Sequence, residues 1–455
     1  MDYAELKNRY QTFFYHGFKV AEEADQIRIT YDFEITGLSR FAPEFTLPKP
    51  AGAGAFANQK VFRKAAFSLG MVELISYWKL CCPPDVVIEC GSLDEAQIQF
   101  WKKLYYHGLG EFFWKNRIDA DPQLFMNLQS TGVSIGGEYS DPVFRGCLIP
   151  VGGGKDSLVT LEILKGMKAD SHVFIINDIR SALASTEAAG YSAAATVHVH
   201  RTLDARMLEL NRQGYLNGHT PFSALCAFAA LLSAVVWQKK YICLSNEASA
   251  NEPTIKGRDI NHQYSKTFEF ETDFEAYKNS YITGNIHYFS LLRPLSELQI
   301  AGIFAKLPQY HSVFRSCNVG QKEGRWCGHC AKCLFVAVLL SAYLDDADLV
   351  RIFGADMLND GTMKELFEEL TGLLDNKPFE CVGTREEVNT AVCMSIRSHV
   401  QKQQPLPRLY DYYRSTPYYA YYKDQSVRAS DWNSSNQLPP EFEALVHQAL
   451  KEAFA

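Results

Sequence analysis

Two hydrophobic periods alternate along this chain. In "DQIRITYDFEI" the residues Ile27, Ile29, Tyr31, Phe33 and Ile35 alternate with polar partners, the period of a strand with one buried face. "FFYHGFKV" precedes it across the polar "AEEAD", so the pair is expected to form a hairpin. Residues 61–80 read as a helix and "DVVIEC" as a short buried strand. Ser92 with Glu95 is expected to make a capping box for the helix carrying "EAQIQFWKKLYYHG". The polar, glycine-rich "NLQSTGVSIGGEYSDP" marks a boundary. Beyond it the short apolar runs "CLIPV", "HVFIIN", "ATVHVH" and "YICLSN" alternate with helical segments such as "SLVTLEILKGMK" and "PFSALCAFAALLSAVVWQKK". Strands separated by helices predict a mostly parallel sheet covered on both faces. The last hundred residues differ again, from "LDDADLVRIFGADML" to the tyrosine-rich "LYDYYRSTPYYAYYKD", whose rings are expected to serve packing and surface contacts. The expected organisation is α/β: an N-terminal α+β domain (1–140), a parallel-sheet domain (141–345) and a mostly helical C-terminal region (346–455).

Composition narrows the function. A chain of 455 residues with 47% apolar and 13% aromatic residues can fill more than one core. Its net charge of −7 gives no broad basic face, so nucleic acid is not an expected partner. The start, "MDYAELKNRYQTFF", is charged and lacks the apolar core of a secretory signal. The longest uncharged stretch, Pro221 to Gln238, reads as a buried helix rather than a membrane span. Twelve cysteines in a chain unsigned for export predict reduced thiols or metal ligands. A cytoplasmic protein without a membrane partner is the expectation.

The candidate chemistry begins at "PVGGGKDSLVTLEIL". A strand, a glycine-rich loop and a helix make a phosphate cradle, because glycines let the backbone approach and the helix start offers unpaired N–H groups. Neither G-x-x-x-x-G-K-[ST] nor G-x-G-x-x-G is present. Gly152, Gly153, Gly154, Lys155, Asp156 and Ser157 instead resemble the S-G-G-x-D-S loop of the PP-loop ATP pyrophosphatases (adenine nucleotide alpha hydrolase-like), with Gly152 in place of the first serine. That resemblance implies a core of that fold, ATP cleaved to AMP and diphosphate, and Mg²⁺. Just after "YICL", Asn246, Glu247, Asn251 and Glu252 are expected at the carboxyl end of a strand, where ligands gather in parallel sheets. Glu247 is the candidate for helping to place Mg²⁺, which prefers oxygen ligands. "LLRPLSELQI" resembles a Pro-Leu segment late in PP-loop enzymes but lacks the lysine of that segment.

"SCNVGQKEGRWCGHCAKC" supplies Cys317, Cys327, Cys330 and Cys333, the last three in C-x₂-C-x₂-C spacing. Four thiolates suit a tetrahedral structural Zn²⁺ with no coordination place left for chemistry. His329 could substitute for one cysteine, and an Fe–S cluster is the alternative. Similar spacing occurs in 7-cyano-7-deazaguanine synthases, PP-loop enzymes that activate a carboxylate.

Five further stretches, "NGHTPFSALCAF", "SNEASANE", "NHQYSKTFEFE", "YFSLLRPLSELQI" and "KPFECVGT", resemble the MurL family of UDP-N-acetyl-α-D-muramoyl-L-alanyl-L-glutamate epimerases, as do "SYWKLCCPPDVVIECG" and "FWKKLYYHGLGEFFWKNRID". The resemblance covers about residues 10 to 400. It implies an isomerase of peptidoglycan synthesis, important for cell-wall biogenesis, cell shape and cell division. The reaction is ATP- and Mg²⁺-dependent inversion of the terminal L-glutamate of a small-molecule substrate, the UDP-muramoyl dipeptide, through an acyl-adenylate. Asp156, Cys381 and His219 are the catalytic candidates: Cys381 in "KPFECVGT" as a thiolate, His219 in "NGHTP" because imidazole titrates near neutrality. A PP-loop enzyme adenylating a tRNA base or a deazaguanine-type carboxylate is the alternative reading, and a non-catalytic nucleotide sensor a third.

Overall fold

In the computed structural model, residues 2–140, 142–248, 263–321, 323–378, 380 and 382–454 are described. Alternation sets the N-terminal sheet. Strand β1 (Thr12–Glu22) pairs antiparallel with β2 (Gln26–Ile35), and Ile27, Ile29, Tyr31, Phe33 and Ile35 are all fully buried. The expected hairpin is there. Strands β3 (Ser39–Phe41) and β4 (Glu44–Pro48) pair with β2, while β5 (Asp85–Ile88) and β6 (Asn127–Ser130) extend the sheet parallel to β1. The helix Glu95–Gly108 starts two residues later than the capping box expected at Ser92 and Glu95. Asp94 is its N-cap and Gln97 completes the box, so Ser92 lies before the helix and Glu95 is only its first residue.

The second half follows the strand–helix rhythm. Strands β7 (Cys147–Pro150), β8 (His172–Ile176), β9 (Thr196–Thr202), β10 (Tyr241–Leu244) and β11 (His287–Ser290) run in the order β11-β10-β7-β8-β9, each neighbour parallel. Alternate residues feed two cores. Leu148, Phe174 and Ile242 join the N-terminal core, whereas Cys147, Ile149, Val173, Ile175 and Cys243 join a core shared with the C-terminal helices. Burial on both faces is why these strands read as continuous apolar runs.

The sheet does not stop at the glycine-rich stretch. β4 pairs antiparallel with β9, with Phe45 opposite Arg201, so the eleven strands form one sheet. Arg201 also reaches across to the buried Glu73 carboxylate at 2.9 Å, tying β9 to the helix Lys60–Trp78. That helix packs against Phe222–Val236, the apolar segment expected to be a buried helix, and the expectation holds. No helix among the described residues is long and apolar enough to cross a membrane. On the other face lie Lys155–Ile163 and Glu297–Ala305, backed by Ala331–Ser341, Arg385–Lys402 and Pro440–Ala453. Among the described residues no strand follows β11.

Candidate functional site

After β7 the chain visits β8 and β9 on one side, then β10 and β11 on the other. Such a reversal opens a crevice beyond the carboxyl ends of the strands. A cleft of about 350 Å³ occupies it, lined by residues that follow β7 (Gly152, Gly154, Asp156, Ser157), β8 (Ile179) and β10 (Asn246, Glu247). Phe222, Ser223 and Cys226 close it from the "NGHTPFSALCAF" stretch, and Lys266 from "NHQYSKTFEFE". Arg315, Ser316, Asn318, Gln321 and Lys332 form the remaining wall.

The loop fits its turn for steric reasons. Gly153 has φ +84°, and a Cβ there would sit 2.5 Å from the backbone of Ser181 and Ala182. At Gly154 a Cβ would meet Ser316 Oγ at 2.8 Å, whereas at Gly152 it would meet open space. No side chain caps the helix Lys155–Ile163, so its first amides are left for another acceptor. Ser157 Oγ donates to Gly154 O at 2.9 Å, and the Arg315 amide donates to Gly153 O at 2.8 Å, which fixes the loop from both sides.

Lys155 does not point into the cleft. Its ammonium is buried and bonded to both Asp156 and Glu297. Burial works against the charge, but the acidic partners, Asp156 first and then Glu297, outweigh it and hold Lys155 protonated. Glu297 is pushed up to about 8, first by burial and then by Asp156 and Glu247, against the pull of Lys155. Its own amide donates to Glu387 Oε1 at 2.7 Å, and Glu387, raised by burial, belongs to the capping box of Arg385–Lys402.

A second buried cation shapes the opposite wall. Arg293, fully buried, donates to the carbonyl oxygens of Glu247 (2.6 Å) and Lys266 (2.7 Å) and to the Glu271 carboxylate (2.9 Å). Asn246 Nδ2 donates to Ser290 Oγ at 3.2 Å. Asn246 and Glu247 therefore stand in the cleft as expected from their place after β10, while Asn251 and Glu252 lie outside the described residues.

The cysteines come together. The sulfurs of Cys317, Cys327, Cys330 and Cys333 lie within 4.8 Å of one another, with Cys317–Cys330 at 4.0 Å, Cys327–Cys333 at 3.7 Å and Cys330–Cys333 at 3.5 Å. Four Zn–S bonds of about 2.3 Å in a tetrahedron separate sulfurs by about 3.8 Å, so the cage has zinc dimensions. The amides of Gly320 and Cys327 point at Cys317 Sγ, as second-sphere donors do to a thiolate. His329 is exposed and turns Nδ1 to the Cys327 carbonyl, outside this group. None of the described cysteines is in a disulfide. The cage and the cleft share their chain: Ser316 and Asn318 flank Cys317, and Lys332 sits between Cys330 and Cys333.

The two acid–base candidates part company. His219 is half-buried, with Nδ1 3.7 Å from Glu111 Oε2, and is not among the residues lining the cleft. Cys381 lies outside the described residues. Its neighbours in "KPFECVGT" reach the site: Glu380 accepts the Lys332 amide at 2.6 Å, and a Cβ at Gly383 would touch both Glu387 and Glu297. Sequence reasoning missed Lys266, Glu297, Arg315, Lys332 and Glu387. Glu297 was within reach, since it lies in the "LLRPLSELQI" stretch.

Models of the MurL N-terminal domain and the MurL C-terminal domain match residues 4–291 and 310–415. The chain belongs to the MurL family. A protein of Xanthomonas oryzae pv. oryzae named UDP-N-acetyl-alpha-D-muramoyl-L-alanyl-L-glutamate epimerase is 34% identical over 346 residues, 74% of this chain and 76% of its own length. Proteins of the same name from Micromonospora sp. (34%, covering 83% and 86%) and Salinispora tropica (33%, covering 80% and 80%) are similar to it as well. No solved structure gives a significant match. The first MurL segment ends one residue past β11 and so takes in both the antiparallel strands and the glycine-rich loop, while the second contains all four cysteines.

Proposed function

We propose that this MurL protein inverts the terminal L-glutamate of UDP-N-acetylmuramoyl-L-alanyl-L-glutamate in an ATP- and Mg²⁺-dependent reaction, releasing AMP and diphosphate. The observation that carries the reading is convergence. Residues of "NGHTPFSALCAF", "SNEASANE" and "NHQYSKTFEFE" line one cleft with Gly152, Gly154, Asp156 and Ser157, and Glu380 of "KPFECVGT" holds the amide of Lys332 on its wall. The relatives' names supply the substrate.

The chemistry explains why an epimerase keeps a nucleotide cleft. Inverting one stereocentre is close to thermoneutral, so ATP is not required as a driving force. The α-proton beside an ionised carboxylate is a very poor acid, and that is the obstacle. Adenylating the carboxylate removes its charge and lets the carbonyl stabilise a carbanion, after which a placed base contributes about 10²–10⁴-fold. In this reading the core is PP-loop ATP pyrophosphatase-like. The Gly152–Gly154 backbone, the open amides of the following helix and Ser157 hold phosphate oxygens. Asp156 and Glu247 put carboxylates on the cleft wall, an oxygen donor pair of the kind Mg²⁺ takes. Mg²⁺ bound there screens phosphate charge. Lys266, Arg315 and Lys332 supply the remaining positive charge, and Asn246 a neutral contact. Zn²⁺ in the Cys317, Cys327, Cys330 and Cys333 cage keeps Ser316, Asn318 and Lys332 in place. For the base we favour Cys381 over His219, because the neighbouring Glu380 accepts the amide of Lys332 on the cleft wall, whereas His219 stands beside Glu111 and does not line the cleft. Reaction partners are small molecules, with no nucleic acid or membrane, in the cytoplasm.

The test is direct. Incubation with ATP, Mg²⁺ and the UDP-muramoyl dipeptide should give AMP, diphosphate and D-glutamyl product together. Inversion at full rate without ATP, or AMP released equally without the dipeptide, would refute the proposal.

A further inference from the structure

Away from the phosphate-type loop, β9 carries "HVH". A strand turns successive side chains to opposite faces, and here Val197 and Val199 enter the N-terminal core while His198 and His200 face the other way. The two imidazoles lie side by side, with ring centroids 4.4 Å apart. A third donor comes from the turn after β8: Asp178 Oδ1 is 3.4 Å from His198 Nε2. One ligand atom each from Asp178, His198 and His200 falls within a 4.8 Å sphere of separations.

The turn that brings Asp178 there is fixed. Asn177 adopts the left-handed conformation with φ 59°, and two hydrogen bonds fasten it to β9: its amide donates to Val199 O and its Oδ1 accepts from the Arg201 amide, both at 2.8 Å. Ligand placement of this kind is preorganised by the backbone and does not depend on the ion to gather it. We propose that Asp178, His198 and His200 form a binding site for a divalent transition ion of the Zn²⁺, Co²⁺ or Ni²⁺ class.

The donor set selects that class. Two imidazoles and one carboxylate suit borderline ions, whereas Mg²⁺ and Ca²⁺ want oxygen alone. Three protein ligands leave coordination places for water. His198 Nε2 also lies 3.0 Å from the Asn177 carbonyl, so the ring now bridges to the turn through an N–H. The ion takes over that bridge, and the ring adopts the tautomer whose Nε2 lone pair faces the carboxylate, its proton moving to Nδ1. The site lies on the cleft rim, since Ile176 and Ile179 on either side of Asp178 line the cleft. The inference does not depend on which reaction the cleft performs.

Co²⁺ titration of the full chain, after removal of loosely held metal on a chelating resin, tests it. One ion per chain should bind with d–d absorption and without the thiolate charge-transfer band of the cysteine cage. His200→Ala and Asp178→Asn should weaken that binding by at least the ~10–100-fold that loss of an outer-sphere partner costs. Metal in the cysteine cage, followed by elemental analysis, should stay unchanged in both variants. Binding that carries the thiolate band alone, or equal Co²⁺ affinity in wild type and His200→Ala, would overturn the proposal. Both side chains sit at the surface, so unchanged far-ultraviolet circular dichroism is expected of the variants.

Discussion

Replacing Lys155 by methionine keeps most of the side-chain volume and removes the charge between Asp156 and Glu297. Breaking a buried ion pair by taking away one partner costs about 3–5 kcal/mol, and Lys155 and Glu297 are both buried. The cost depends on pH in a direction that the site dictates. Glu297 is a carboxyl whose folded value, about 8, stands above its unfolded one. The native state thus holds a proton that the unfolded state releases, and stability falls as pH rises from the unfolded value toward 8. In wild type the ion pair takes over above that point. In Lys155→Met nothing does, so the buried carboxyl must stay protonated at rising cost. Urea unfolding at pH 6 and pH 9 should show a loss that is modest at the lower pH and nears about 3–5 kcal/mol at the higher. Adding Glu297→Gln, a neutral stand-in for the protonated acid, should recover part of the loss at pH 9 and flatten its pH dependence. Equal losses at both pH values, or strict additivity of the two substitutions, would refute this account of the pair.

The other predictions concern the cleft. Asp156→Asn and Ser157→Ala should abolish AMP formation; Ser157→Ala, which loses its bond to Gly154 O, should cost only about 1 kcal/mol in an unfolding experiment. Gly153→Ala should disable nucleotide binding in a fluorescent-analogue titration, because its Cβ has no room against Ser181 and Ala182. After loosely held metal is removed on a chelating resin, elemental analysis should find about one zinc per chain, held by the cysteine cage, and Cys330→Ser should lose ATP affinity along with the metal, since Asn318 and Lys332 share that wall. In D₂O the product should carry deuterium at the glutamate α-carbon, and Cys381→Ala should suppress that exchange while sparing AMP release; if His219→Ala does so instead, the base is on the other side of the site.

How much of this was legible depended on whether a signal was local. Period-2 alternation gave β1 and β2 their faces. "CLIPV" and "YICLSN" read as strands because burial on both faces leaves an apolar run, and the glycine loop announced itself by composition. Joining of the two halves through β4 and β9 was not legible, because pairing of residues as far apart as Glu44 and Thr202 leaves no periodic mark in either strand. The same holds for Glu297 and Arg293. "LLRPLSELQI" lacks the lysine of the PP-loop segment it resembles, yet it carries a glutamate that answers a lysine elsewhere and an arginine that grips the carbonyls of Glu247 and Lys266. The cysteine spacing gave the cage, but spacing alone could not tell that Lys332, between two of its members, would face the cleft.

Those hidden residues share a physical logic. Arg293, Lys155, Glu297 and Glu387 are ionisable groups in buried or half-buried places, and desolvation makes such groups poor sources of stability. Hydrophobic groups of similar volume would serve a core as well or better. What the charges do is hold things apolar groups cannot hold: the Glu247 and Lys266 carbonyls, the first turn of the loop helix, and the amide of Glu297. Local conflict with the rules of a stable core is expected where a site must be held in one geometry. These groups tie the surroundings of the cleft together across the chain, Arg293 to Glu247 and Lys266, Glu297 to Glu387 and Lys155 to Glu297, so that strands, loop helix and C-terminal helices meet at one place. Residues on the cleft wall come from stretches as far apart as Gly152 and Lys332, so the glycine loop that first draws the eye is only one part of the cleft.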